Sequence, residues 1–140
     1  MSVNDDARLM YLKAQSDLRA IHGMSDSSVF SDDIFGFHAQ QAVEKLPKAW
    51  LWSLDVEPPY IHGLGELVKL LEHSGASLPE QLQSLEHLTD FAVHFRYSAD
   101  MAPLDESRED IASKVEELSE HIRTIIPDIG QSDEDSEKVS

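Results

Sequence analysis

The chain holds seven histidines and 27 aspartates and glutamates, so metal binding and acid-base chemistry are the first possibilities to weigh. Two pairs, Asp90/His94 and Glu117/His121, stand at i, i+4, which on a helix puts a carboxylate and an imidazole on one face. Either pair offers a metal two ligands. Exposed pairs at this spacing, however, ordinarily only support their helix by about 0.2–0.5 kcal/mol, and they are read that way here. A di-iron or di-manganese bundle needs glutamates followed three residues later by histidine, and no glutamate in the chain has one. Gly-rich phosphate loops, HExxH and G-x-S-x-G are absent too. With no cysteine there is no thiolate ligand, thiol nucleophile or disulfide. No metal and no cofactor are expected.

The histidines divide by position. His87, His94 and His121 fall on largely polar helix faces and read as solvated, while His22, His62 and His73 lie near helix ends, where backbone groups and the helix dipole can engage them. His38 sits beside Gln40 and Gln41 in a weakly charged run, Phe37 to Leu54, and reads as a hydrogen-bonded residue at a helix interface. The same run holds both tryptophans. They cannot both face one core, so one is expected inside and the other in an oligomer contact.

Charge limits the partners. Eleven Lys and Arg against 27 Asp and Glu give a net charge of -16, a field that opposes phosphate neutralisation unless basic residues cluster locally. DNA binding is not expected. The N-terminus lacks the basic and apolar regions of a signal peptide, and no apolar run approaches the ~20 residues a membrane helix needs. A cytoplasmic protein without membrane contact is expected.

Five helical patterns must position these residues. The first starts after Asn4, an N-cap followed by Asp5 and Asp6, carries the stripe Ala7, Tyr11, Ala14, Leu18, Ile21, and stops at Gly23. The second starts near Ser31, with Phe35, Ala39, Ala42 or Val43, Leu46, and Ala49 or Trp50 on one broad face. Its other side carries a polar ridge of Gln41, Glu44, Lys45 and Lys48. Pro47 removes one backbone bond and predicts a kink or a break. Asp55 to Ile61, with Pro58 and Pro59, is an extended connection. A short third helix from Gly63 turns Leu64, Leu67, Val68 and Leu71 inward and closes at Gly75. Ser77 and Glu80 then stand at capping-box spacing before a fourth helix with Leu78, Leu82, Leu85, Leu88, Ala92 and Phe95, ending near Arg96 or Tyr97. Asp105 is expected to cap a fifth, with Ile111, Val115, Leu118, Ile122 and Ile125. The fold class is therefore all-α, an up-and-down antiparallel bundle of about five helices over residues 4–126, with an acidic, disordered tail over 127–140.

The run Phe37-His38-Ala39-Gln40-Gln41-Ala42-Val43-Glu44-Lys45, with Lys48 and Ala49, then Glu57-Pro58-Pro59, His62 and Leu64, and finally Phe95-Arg96-Tyr97, resembles a HEPN domain of the prokaryotic type across Asn4 to Ile126. The resemblance implies a dimerising helical bundle, commonly encoded with a small nucleotidyltransferase-like partner, in toxin-antitoxin or other RNA-related defence systems. Active members carry a metal-independent ribonuclease motif, Arg followed by four to six residues and His, assembled across the dimer. Arg96 corresponds to the arginine, but Met101, Ala102 and Pro103 stand where the histidine belongs, and no other arginine has a histidine at that spacing. Arginine stabilises charge on phosphate and cannot replace proton transfer at the ribose hydroxyl. Pro47 is a second departure from the family pattern.

With the histidine missing, the resemblance implies a non-catalytic, homodimeric binding module. Gln41, Glu44, Lys45, Lys48, Arg96 and Tyr97 form its ligand patch for a nucleotide, an RNA, a phosphate or a nucleotidyltransferase-type partner. A plainer alternative makes Glu44 and Lys48 an i, i+4 ion pair and gives Arg96 to the last carbonyls of its own helix. Two other functions compete: a ribonuclease in which His94 or His38 serves with Arg96, and a protein-protein interaction module whose acidic surface meets a basic partner.

Overall fold

The computed structural model describes residues 4–60, 63–89, 91, 104 and 106–130. Among these residues the chain forms α1 (Asp5–His22), α2 (Asp32–Ser53), α3 (Leu64–His73), a 3-10 helix η1 (Glu80–Leu88) and α4 (Arg108–Ile125), with no strand. This is the all-α bundle of five helices that the patterning predicts.

Local chemistry accounts for most boundaries. Asn4 caps α1 by accepting the Ala7 N–H at 2.7 Å, Ser31 caps α2 by accepting from Ile34 N–H at 3.4 Å, and each cap is followed by two aspartates that suit the helix dipole. Ala7, Tyr11, Ala14, Leu18 and Ile21 are all buried, as are Leu64, Leu67, Val68 and Leu71. Gly75 takes φ +86° after α3, in the left-handed region where a Cβ is strained. Helix α2 runs unbroken through Pro47, which is buried within it, so no break occurs there.

Three boundaries differ from the expectation. The fourth element is a 3-10 helix with Pro79 at its N-cap and no side-chain cap, so the Ser77/Glu80 capping box does not form. Its core residues explain the tighter winding: Leu82, Leu85 and Leu88 are three apart, and at three residues per turn they align on one buried ridge. The expected continuation through Ala92 and Phe95 lies outside the described residues. Helix α4 is capped by Ser107 rather than Asp105, the Ser107 hydroxyl accepting from Asp110 N–H at 3.1 Å. Ile125 is 48% exposed at the end of α4, whereas Ile129 is fully buried. A turn closed by Ile129 N–H to the Ile126 carbonyl at 3.1 Å brings it back to the core, so packed chain extends beyond residue 126.

Helix α2 packs against every other described element. Asn4, at the start of α1, donates to the carbonyl of Trp52, at the end of α2, so the two helices are antiparallel. The C-terminal ends of α2, α3 and α4 meet around a cavity of about 390 Å³ lined by Trp50, Leu54, Ala76, His121 and Ile125. Trp50 is a core residue, and Trp52 is half-buried against the same core. His121 is not solvated on a polar face: its ring meets Trp50 edge-on at 5.5 Å, and its Nε2 is buried without a hydrogen-bond partner. Its i, i+4 neighbour Glu117 instead accepts from Gln81 of η1 at 3.2 Å. His87 is also half-buried, donating from Nδ1 to the Ser84 carbonyl at 2.5 Å.

Candidate functional site

Along α2, His38, Gln41, Lys45 and Lys48 recur at steps of three, four and three residues, which aligns them in one stripe. Opposite them α1 presents Asp17, one residue before Leu18 of its buried stripe. The Asp17 carboxylate accepts from Lys45 Nζ through Oδ2 at 2.6 Å and from His38 Nδ1 through Oδ1 at 3.4 Å. Phe37 lies edge-on to the His38 ring at 5.5 Å, restraining its orientation. Thus His38 is the hydrogen-bonded interface histidine that its sequence position suggests.

The rest of the ridge is drawn further into the protein. Glu44 is buried, and the Lys48 ammonium, on a side chain only 13% exposed, lies 3.7 Å from its carboxylate. Gln41 donates to Gln40 Oε1 at 2.8 Å, and Gln40 is itself buried. Of the four α2 residues of the expected patch, Glu44 and Lys48 meet as the plain i, i+4 ion pair, whereas Gln41 bonds to Gln40 and Lys45 to Asp17. Counting Asp17, the ridge carries two ammonium and two carboxylate groups and is neutral when His38 is neutral. Arg96 and Tyr97, the other patch residues, and His94 lie outside the described residues.

Sequence reasoning missed Asp17 and Arg108. Asp17 carries only a weak signal, a charge bordering an apolar stripe. Arg108 carries a clearer one, because a cation in the first turn of a helix opposes the dipole. Its purpose is tertiary. Arg108 is 8% exposed and donates to the Met24 carbonyl at 2.7 Å, the Phe30 carbonyl at 2.6 Å and Asp32 Oδ1 at 2.8 Å, with its guanidinium 5.1 Å from the centre of the Phe35 ring. One side chain ties the α1–α2 loop and the start of α2 to α4. Within that loop the Ser28 hydroxyl and N–H both donate to Asp26 Oδ1, at 2.6 and 2.9 Å, and these bonds to the charged form lower the Asp26 carboxyl pKa.

Among the described residues no group of three or more His, Cys, Asp or Glu is placed to hold a metal ion, and no helix there is long and apolar enough to cross a membrane. Fold and ridge together define an all-helical bundle domain with a polar seam between its first two helices. The family model of the HEPN domain matches residues 7–128, and the chain belongs to that family. No curated protein and no solved structure matches it.

Proposed function

We propose that this HEPN domain is a non-catalytic, homodimeric binding module of a cytoplasmic toxin-antitoxin or related defence system. Its ligand-binding residues are Gln41, Glu44, Lys45, Lys48, Arg96 and Tyr97, and its ligand is a nucleotide, with an RNA or a nucleotidyltransferase-type protein as the other partners this surface would serve. The observation that carries the reading is the half-buried ridge of α2, where Lys45 and Lys48 are each held in place by a carboxylate. Such a seam is preorganised for polar recognition, and an arginine such as Arg96 has the planar fork that suits a phosphate. HEPN domains often dimerise and are often nucleotide-related, which supports both parts of the reading. Calorimetry with ATP and with a short RNA is expected to give saturable heat for wild type and little for Arg96→Ala. No heat from wild type with either ligand sinks the nucleotide reading. Light scattering of the eluting protein should report twice the chain mass, and a monomer would overturn the dimer.

One observation favours a ribonuclease as the second reading. Asp17 holds His38 by Nδ1, leaving Nε2 on the far side of the ring for proton transfer. RNA cleavage in the presence of a chelator, lost in both His38→Ala and Arg96→Ala, would establish it, whereas intact RNA retires it.

A further inference from the structure

We propose that His38 and Lys45 form an anion seat whose resident occupant is the protein's own Asp17, and that the terminal phosphate of a nucleotide binds there by displacing that carboxylate. The inference rests on the nucleotide reading above and adds the seat, the displaced group and a residue of α1 to it.

Asp17 is the only described carboxylate on which two basic or imidazole side chains of α2 converge. Lys45 Nζ reaches one oxygen at 2.6 Å and His38 Nδ1 the other at 3.4 Å. A carboxylate held this way marks the position of a bound anion, and a terminal phosphate offers acceptor oxygens of the same kind with greater charge. The three side chains are partly accessible, at 14% for Asp17, 23% for Lys45 and 35% for His38, so a ligand meets the seat from solvent without opening the core. Gln41, one turn from each basic partner on the same stripe, gives its amide nitrogen to Gln40 through one hydrogen bond and has a second N–H to offer. Lys48 is not part of the seat, because Glu44 holds it deeper in the bundle.

Asp17 therefore weakens anion binding to the intact ridge. It neutralises Lys45 and occupies His38, in a protein whose net charge of -16 already repels phosphate. Asp17→Asn removes the negative charge while keeping an amide oxygen for Lys45, which preserves the contact between α1 and α2.

Calorimetry with ATP, pyrophosphate and adenosine on wild type, Asp17→Asn and Asp17→Asn/Lys45→Met tests the seat. Asp17→Asn is expected to bind ATP and pyrophosphate about fivefold or more tightly than wild type, adenosine is expected to show no gain, and Lys45→Met is expected to remove the gain. Thermal melts without ligand confirm folding, and Asp17→Ser replaces Asp17→Asn if that variant is unfolded. Equal or weaker ATP binding by Asp17→Asn, with wild-type binding intact, overturns the seat and leaves the nucleotide reading standing. Binding by Asp17→Asn alone would show that the carboxylate is not displaced, and overturns both the proposal and nucleotide binding by the wild-type protein. Silence from all variants overturns both.

Discussion

Gly36 and Phe91 touch so closely that a methyl group on Gly36 would fall 2.5 Å from Cε1 and 2.7 Å from Cγ of the Phe91 ring. Both residues are buried, so the ring packs on bare backbone near the start of α2. Without a Cβ at this position, the chain just past η1 can lie against the central helix.

Gly36→Ala is accordingly expected to destabilise the fold by about 1–3 kcal/mol through overpacking, despite the better helix propensity of alanine. Urea denaturation measures it. Gly36→Ala/Phe91→Leu should recover part of the loss, because the shorter side chain vacates the clash. A neutral or stabilising Gly36→Ala would show that the ring moves aside without cost.

Arg108 should be the most sensitive polar position in the core. Removing its side chain strips the Met24 and Phe30 carbonyls and Asp32 of a shared donor, and Arg108→Met is expected to cost about 2–4 kcal/mol. Part of the Asp32 contribution is discounted, since that side chain is 42% exposed. Arg108→Lys is expected to restore little, because one ammonium cannot reproduce a planar fork that serves separate acceptors. Equal stability of Arg108→Lys and wild type in chemical denaturation would refute the fork argument.

Asp26 gives a pH dependence with a definite sign. The Ser28 hydroxyl and N–H hold its carboxyl below the ordinary value of 3.8, with a smaller contribution from the Arg108 charge. A group whose folded pKa is depressed contributes stability that is present above its unfolded value and lost as pH falls through the folded one. The loop should therefore loosen only in strong acid. Ser28→Ala removes the largest cause, and the Asp26 carboxyl, followed by NMR titration of its side-chain carbon, is expected to move up toward 3.8. An unchanged titration would assign the shift to the backbone and Arg108 instead.

Much of the fold was legible because its signals are local. Asn4 and Ser31 announce their helices by capping the N–H groups three residues on, and the stripe from Ala7 to Ile21 needs only the 3.6-residue period to be read. The fourth element misled for a local reason as well. Three leucines at steps of three suit a 3-10 turn as well as one face of an α-helix, and packing decided between them. Ser77 and Glu80 had capping-box spacing, but the helix begins after Pro79 and leaves that box unused.

The site was legible only in part. Gln41, Glu44, Lys45 and Lys48 could be placed on one helix from their spacing, yet spacing says nothing about what stands opposite. Asp17 is 28 positions before Lys45 and Arg108 is 76 after Asp32, and only the antiparallel approach of α1 and the docking of α4 bring these charges together. The sequence by itself determined most of the helices, most of their buried faces and the family, because period, caps and motif are properties of neighbouring residues. Tertiary structure alone decided which charges are neutralised, since burial and pairing depend on side chains contributed by distant turns of the bundle.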